Sequence, residues 1–127
     1  MRTFKTKWFS RFARREGIAD QSLREAIERA ERGLIAADLG GGLIKQRVAR
    51  QGQGRSGGYR TIVAYRARSR AVFLFGFAKS DQENIEAHEL TTARDIAADL
   101  LGADEKRLAK AIREGRLQEL SHEDEET

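Results

Sequence analysis

The chain has no cysteine and only two histidines, His88 and His122. Without cysteine there are no disulfides and no thiolate metal sites. With so few imidazoles, neither a bound metal nor a cofactor is expected. No apolar run approaches the roughly 20 residues needed to span a bilayer. The opening Met1-Arg-Thr-Phe-Lys-Thr-Lys-Trp8 lacks the apolar segment and cleavage site of a signal peptide. A cytoplasmic protein with no membrane partner is the expectation. The 127 residues are enough for one core without staples.

Acid is also missing where it matters. Residues 41–80 contain no Asp or Glu. Residues 1–80 carry 18 Lys/Arg against 6 Asp/Glu, and residues 81–127 carry 6 against 14. A basic body with an acidic end suits a polyanion partner.

The apolar pattern alternates between two periods. Arg2–Thr6 alternates like a strand. Thr6 can cap a helix with Trp8, Phe9, Phe12 and Ala13 on its inner face, ended by Gly17. Ser22 and Glu25 have capping-box spacing for a second helix with Leu23, Ala26, Ile27, Ala30 and Leu34 inward, closed by Gly33. A short strand near Leu39 precedes a strand over residues 43–50. Residues 51–58 read as a glycine-rich hairpin loop, 59–66 as a strand, 67–70 as a turn and 71–78 as a central apolar strand. Ser80 is positioned to cap a turn through Glu83 and Ile85. Thr91 can cap a helix with Ala93, Ile96, Ala97, Leu100 and Leu101 inward. A last helix over 104–114 ends at Gly115, with Leu117 and Leu120 docking and the acidic residues 122–127 disordered. The fold class is α+β: a small twisted, mainly antiparallel sheet with N-terminal helices on one face and C-terminal helices.

Lys45 and Arg47 share a face of their strand because side chains alternate. Arg60 opens the partner strand and Lys79 closes the central one. An antiparallel meander can gather these four cations on one surface, with Arg50, Arg55, Arg66, Arg68 and Arg70 as a basic rim. For any single cation the ordinary reading is a solvated or paired surface group. The set, with no acid among it, makes sense if an anion fills it. The glycine loop matches neither phosphate-binding consensus. Phe73, Phe75 and Phe77 alternate onto one face; the first two read as core, while Phe77 at the strand end could stack on a base. Trp8 reads as core and His88 as a surface residue. Tyr59 and Tyr65 are either ordinary strand residues or phosphate and base contacts.

Three segments carry a resemblance. Gly41–Ala49, Gly52–Arg60 and Phe73–Ser80 resemble the RelE/HigB-type toxins of type II toxin–antitoxin systems, and Phe4–Phe9 is similar to one branch of them. The resemblance covers residues 1–101 as a toxin domain, leaving 102–127 as a helical extension with an acidic tail. It implies a metal-independent endoribonuclease that cleaves mRNA, usually on the ribosome, and inhibits translation. It also implies a cognate antitoxin, typically with a helix-turn-helix domain. Such toxins use Lys and Arg with an aromatic in place of a histidine pair. The matching positions are Lys45, Arg47, Arg60 and Lys79 as catalytic residues, with Arg50, Arg55, Arg66, Tyr59 and Phe77 as RNA contacts. The chemistry is attack of a ribose 2′-OH on its own 3′ phosphate. Lysine, with a reference pKa of about 10.4, is a poor base unless crowded cations depress it. Lys45 or Lys79 would carry the proton, Arg60 would stabilise the phosphorane and Arg47 would position the phosphate. Some relatives have a tyrosine where this chain has Phe77, which cannot transfer a proton. The alternatives are a gyrase-poisoning toxin of the ParE type and a non-catalytic nucleic-acid-binding module.

Overall fold

The computed structural model describes residues 1–50, 54–78 and 85–120; the side chains of residues 50 and 54–57 lie outside that description. The elements are β1 (Arg2–Thr6), α1 (Lys7–Glu16), α2 (Asp20–Glu31), β2 (Ala37–Gly40), β3 (Leu43–Arg50), β4 (Gly54–Arg66), β5 (Arg70–Ala78), α3 (Ala87–Gly102), α4 (Glu105–Arg113) and β6 (Leu117–Glu119). This is the expected α+β class. The sheet runs β2-β3-β4-β5-β1-β6. The β1–β5 pair is parallel and every other neighbouring pair is antiparallel. The meander β3-β4-β5 forms as its sequence pattern predicts.

Helix ends follow local chemistry. The Thr6 hydroxyl accepts the Phe9 N–H at 3.1 Å and starts α1. Gly17 ends it at φ 73°, and the Ile18 N–H closes on the Ala13 carbonyl at 2.8 Å. Gly33 does the same for α2, as expected, with Leu34 N–H on Arg29 O at 2.9 Å. The start of α2 differs from expectation. It begins at Asp20 with Ala19 at the cap and no side-chain bond, so the Ser22/Glu25 box is unused. The start of α3 also differs. Its capping box is Glu86 with Glu89, and Thr91 lies inside the helix.

The sheet is covered on both faces. On one, α1 and α2 bury Phe9, Phe12, Leu23, Ile27, Ile44, Val48, Tyr59, Val63 and Phe73. On the other, α3, α4 and β6 bury Leu43, Ile62, Val72, Leu74, Phe77, Ala97, Leu101, Leu108 and Leu117. Fully burying one such large apolar side chain contributes ~1.5–3 kcal/mol, so neither layer is dispensable. Arg70 fastens α3 by donating to the Leu100 and Ala103 carbonyls at 2.7 and 2.9 Å. Those carbonyls are among the orphans of a helix C-terminus, where a cation is favourable.

Several expectations are corrected. Residues 54–58 belong to β4 and not to a hairpin loop. Phe73 and Phe75 do not share a face: the β4–β5 register shifts between Ile62 and Val63, pairing Ile62 with Phe75 and Val63 with Phe73. The extra residue, Leu74, sends Phe73 toward α1 and leaves Phe75 and Phe77 toward α3. Trp8 is 49% exposed, although it stacks on Phe12 at 5.4 Å. Leu34 and Ile96 are exposed as well. The expected turn from Ser80 to Glu83 and the expected disorder of 122–127 lie outside the described residues.

Candidate functional site

Residues directly opposite on antiparallel strands point to the same face. Arg47 on β3 stands opposite Arg60 on β4, and Arg60 stands opposite Phe77 on β5. These three form one cross-strand row on the α3 side. Lys45, Ile62 and Phe75 form the next row on that face.

The row is held from behind. Gln46 is buried, and its amide donates to the Ala26 and Leu34 carbonyls at 2.8 and 3.0 Å. Thr61 donates to the Gln46 carbonyl at 2.8 Å. Arg29 of α2 donates to the Arg47 carbonyl at 2.6 Å. The backbones under both arginines are thereby fixed to each other and to α2. Gly58 draws β4 onto β3: a Cβ there would sit 2.4 Å from the Val48 carbonyl oxygen. At Gly76 a Cβ would meet Phe12 at 3.0 Å and the Arg60 carbonyl at 3.1 Å, so glycine lets α1 close under the row.

Arg60 is the unusual member. It is only 8% exposed, and its Nη1 has no hydrogen-bond partner among the described residues. Burial, and then the Arg47 charge, push its pKa below the ordinary arginine range. A buried guanidinium without an acid is costly. Arg47 is exposed at the rim of the same row.

The other expected residues are distributed differently. Lys45 is half-buried two positions along β3 from Arg47, on the same face. Lys79 lies outside the described residues, as do the side chains of Arg50 and Arg55. Arg66 is six residues from Arg60 along β4, about 20 Å at ~3.3 Å per residue, and it donates to the Leu101 carbonyl at 3.0 Å. Phe77 is 7% exposed and packs with the α3 core, so it floors the row. Tyr59, expected as an RNA contact, points away from the row. It is 1% exposed on the opposite face, and its hydroxyl donates to the Glu16 carboxylate at 3.1 Å. Tyr65 is bonded to Glu31. His88 is exposed and lies 3.7 Å from Glu86. Among the described residues no group of three potential ligands could hold a metal, and no helix is long and apolar enough to cross a membrane.

A groove of about 410 Å³ opens between α1 and α3, lined by residues including Trp8, Phe75, His88 and Ile96. It carries apolar surface and no cluster of reactive groups.

Fold and site together define a small two-sided α+β protein with a histidine-free row of cations at one end of its sheet. A model of the family described as "RelE toxin of RelE / RelB toxin-antitoxin system" matches residues 1–120. The chain belongs to this family. No curated protein matched it. It is therefore a RelE toxin of a RelE/RelB toxin–antitoxin system, and that pairing implies a cognate antitoxin. Toxins of this family are typically ribonucleases. The match extends beyond residue 101 to take in α4 and β6.

Proposed function

We propose that this chain is an endoribonuclease that cuts mRNA during translation, with the Arg47–Arg60 row as its phosphate site. One observation carries the reading: a buried guanidinium whose Nη1 has no partner among the described residues faces a second cation in a segment with no acid. The ribose 2′-oxygen attacks the adjacent phosphorus, its proton passes to a base, and the P–O5′ bond breaks as that oxygen takes a proton. The phosphorane between these steps carries more negative charge than the substrate. Arg60 already bears its desolvation cost in the free protein, so it gains most when that charge develops. Arg47 positions the phosphate from the rim. Lys45 and Lys79 are the proton carriers, and Phe77 supports Arg60 from below. The antitoxin partner is of the helix-turn-helix type.

The test is induced expression followed by sequencing of RNA ends. Cuts within translated messages that leave 2′,3′-cyclic phosphate and 5′-OH ends are expected, and Arg60→Ala should abolish them. Growth arrest with intact messages and loss of gyrase supercoiling would transfer the chain to the gyrase-poisoning class. Binding of RNA without new ends would make it a binding module.

A further inference from the structure

A second cationic surface lies on the other side of the sheet. Lys7, Arg11 and Arg14 recur at i, i+4 and i+7 of α1 and form one stripe about 10 Å long at ~1.5 Å per residue. None of the three has a hydrogen-bonded or ionic side-chain partner among the described residues, whereas their neighbour Arg15 lies 3.6 Å from Glu16. The first turn of α1 contains no acid and begins with Lys7, the charge that a helix N-terminus disfavours. The stripe borders a concavity of about 310 Å³ lined by Lys7, Ser10, Arg11, Arg14, Gly115 and Gln118. Ser10 and Gln118 share a hydrogen bond of 3.4 Å through the amide oxygen, which leaves the Gln118 NH2 group to donate outward. The lining offers cations, a hydroxyl and an amide, and no apolar side chain.

We propose that this concavity binds the phosphate backbone of a folded RNA, as a polyanion site separate from the Arg47–Arg60 row. The alternative occupant, an acidic protein segment, would need an apolar anchor at its centre, and the concavity has none. Phosphates need only what is present. Neighbouring cations along α1 are separated by about 4.5 to 6 Å of helix rise, on the scale of successive phosphates along a strand. The stripe lies on the α1 layer, and the Arg47–Arg60 row lies on the α3 side of the sheet. One short single strand does not serve both, whereas a folded RNA presents several backbones. Naming RNA as the polymer rests on the ribonuclease reading; the anion site itself rests on α1.

The experiment measures binding of the full chain to a 30-base-pair RNA duplex by anisotropy across a salt series. The triple variant Lys7→Gln, Arg11→Gln, Arg14→Gln is compared with Lys106→Gln, Lys110→Gln, Arg113→Gln on α4, which removes the same charge. The α1 variant should bind at least ~10-fold more weakly at moderate salt, with the slope of log K against log salt reduced by about 2 to 3. The α4 variant should stay within about twofold of the parent, by the same additive screening logic. Equal losses in both variants, or no loss in either, overturn the proposal. Loss of binding to a poly-glutamate peptide with duplex binding intact overturns it in favour of a protein partner. Cleavage by the parent chain separates the two readings: if the parent cuts no message yet the α1 slope persists, the ribonuclease reading fails and the anion site stands.

Discussion

Arg47 and Arg60 face each other across β3 and β4, and Arg60, the more buried of the two, has no carboxylate partner among the described residues. The fold tolerates this pair because the apolar layers on both sides of the sheet outweigh its cost. An unsatisfied buried donor costs about 1–3 kcal/mol, and more when charged. Replacing Arg60 by methionine should therefore raise the thermal midpoint by several degrees while reducing RNA cleavage by at least ~100-fold, the scale of losing one charge-stabilising donor. Calorimetry beside a cleavage assay checks both. A fall in the midpoint would show that the guanidinium is stabilising where it stands.

Tyr59 should behave oppositely. Its hydroxyl is bonded to Glu16 beneath α1, away from the row. Tyr59→Phe is expected to cost about 1 kcal/mol of stability and to leave cleavage unchanged. Urea denaturation and single-turnover cleavage separate the two effects. A tenfold loss of cleavage in a folded variant would return Tyr59 to the site.

The Tyr65–Glu31 pair should set limits on pH stability. Burial, then the bond to Glu31, pushes the Tyr65 pKa up to about 12, and the same bond holds Glu31 below the usual carboxylate range. The depressed Glu31 contributes stability above its unfolded pKa of about 4.3, and this is lost as pH falls through its folded value. The raised Tyr65 contributes stability below its unfolded pKa of about 10, and this is lost as pH rises toward about 12. Tyr65→Phe should lower the urea midpoint at pH 7, with the gap to the parent narrowing at pH 3 and above pH 10. A gap of constant size across that range would mean that the pair is not the titrating element.

The sole tryptophan supplies a probe. Trp8 is 49% exposed at the mouth of the α1–α3 groove. Its fluorescence should be quenched by acrylamide in the folded chain, and less strongly when a partner covers the groove. Trp8→Ala should cost less than the ~3–5 kcal/mol typical of a buried aromatic truncation.

Most of the meander was legible because its signals are local. Alternation marked β3, the apolar run marked β5, and Thr6, Gly17 and Gly33 marked helix ends. Arg47 and Arg60 were legible as sharing one surface because a strand alternates its side chains. What escaped was non-local. The Leu74 bulge that splits Phe73 from Phe75 depends on register with β4 and leaves no mark on composition. Trp8 has core chemistry, but it sits where α1 meets the open groove. Glu86 caps α3 with a residue type less typical of caps than Thr91, so Thr91 is the stronger local signal although the helix starts before it. The burial of Arg60 depends on what packs over the sheet, which no pattern in residues 41–60 announces. The cationic stripe on α1 is readable at helical spacing, whereas the concavity it borders is not, because Gly115 and Gln118 join it from the far end of the chain.

The last strand has a consequence for how the protein is made. β1 pairs with β5 through residues 70–73 and with β6 through residues 117–119. Its partners are thus translated long after it. At roughly 5–20 residues per second, several seconds separate the first pairing from the second. A message interrupted before codon 117 would yield a chain whose first strand keeps one edge open and whose Leu117 and Leu120 are missing from both apolar layers. Closure of the sheet thus waits on its last-made strand, and a product ending before that strand would not complete the fold.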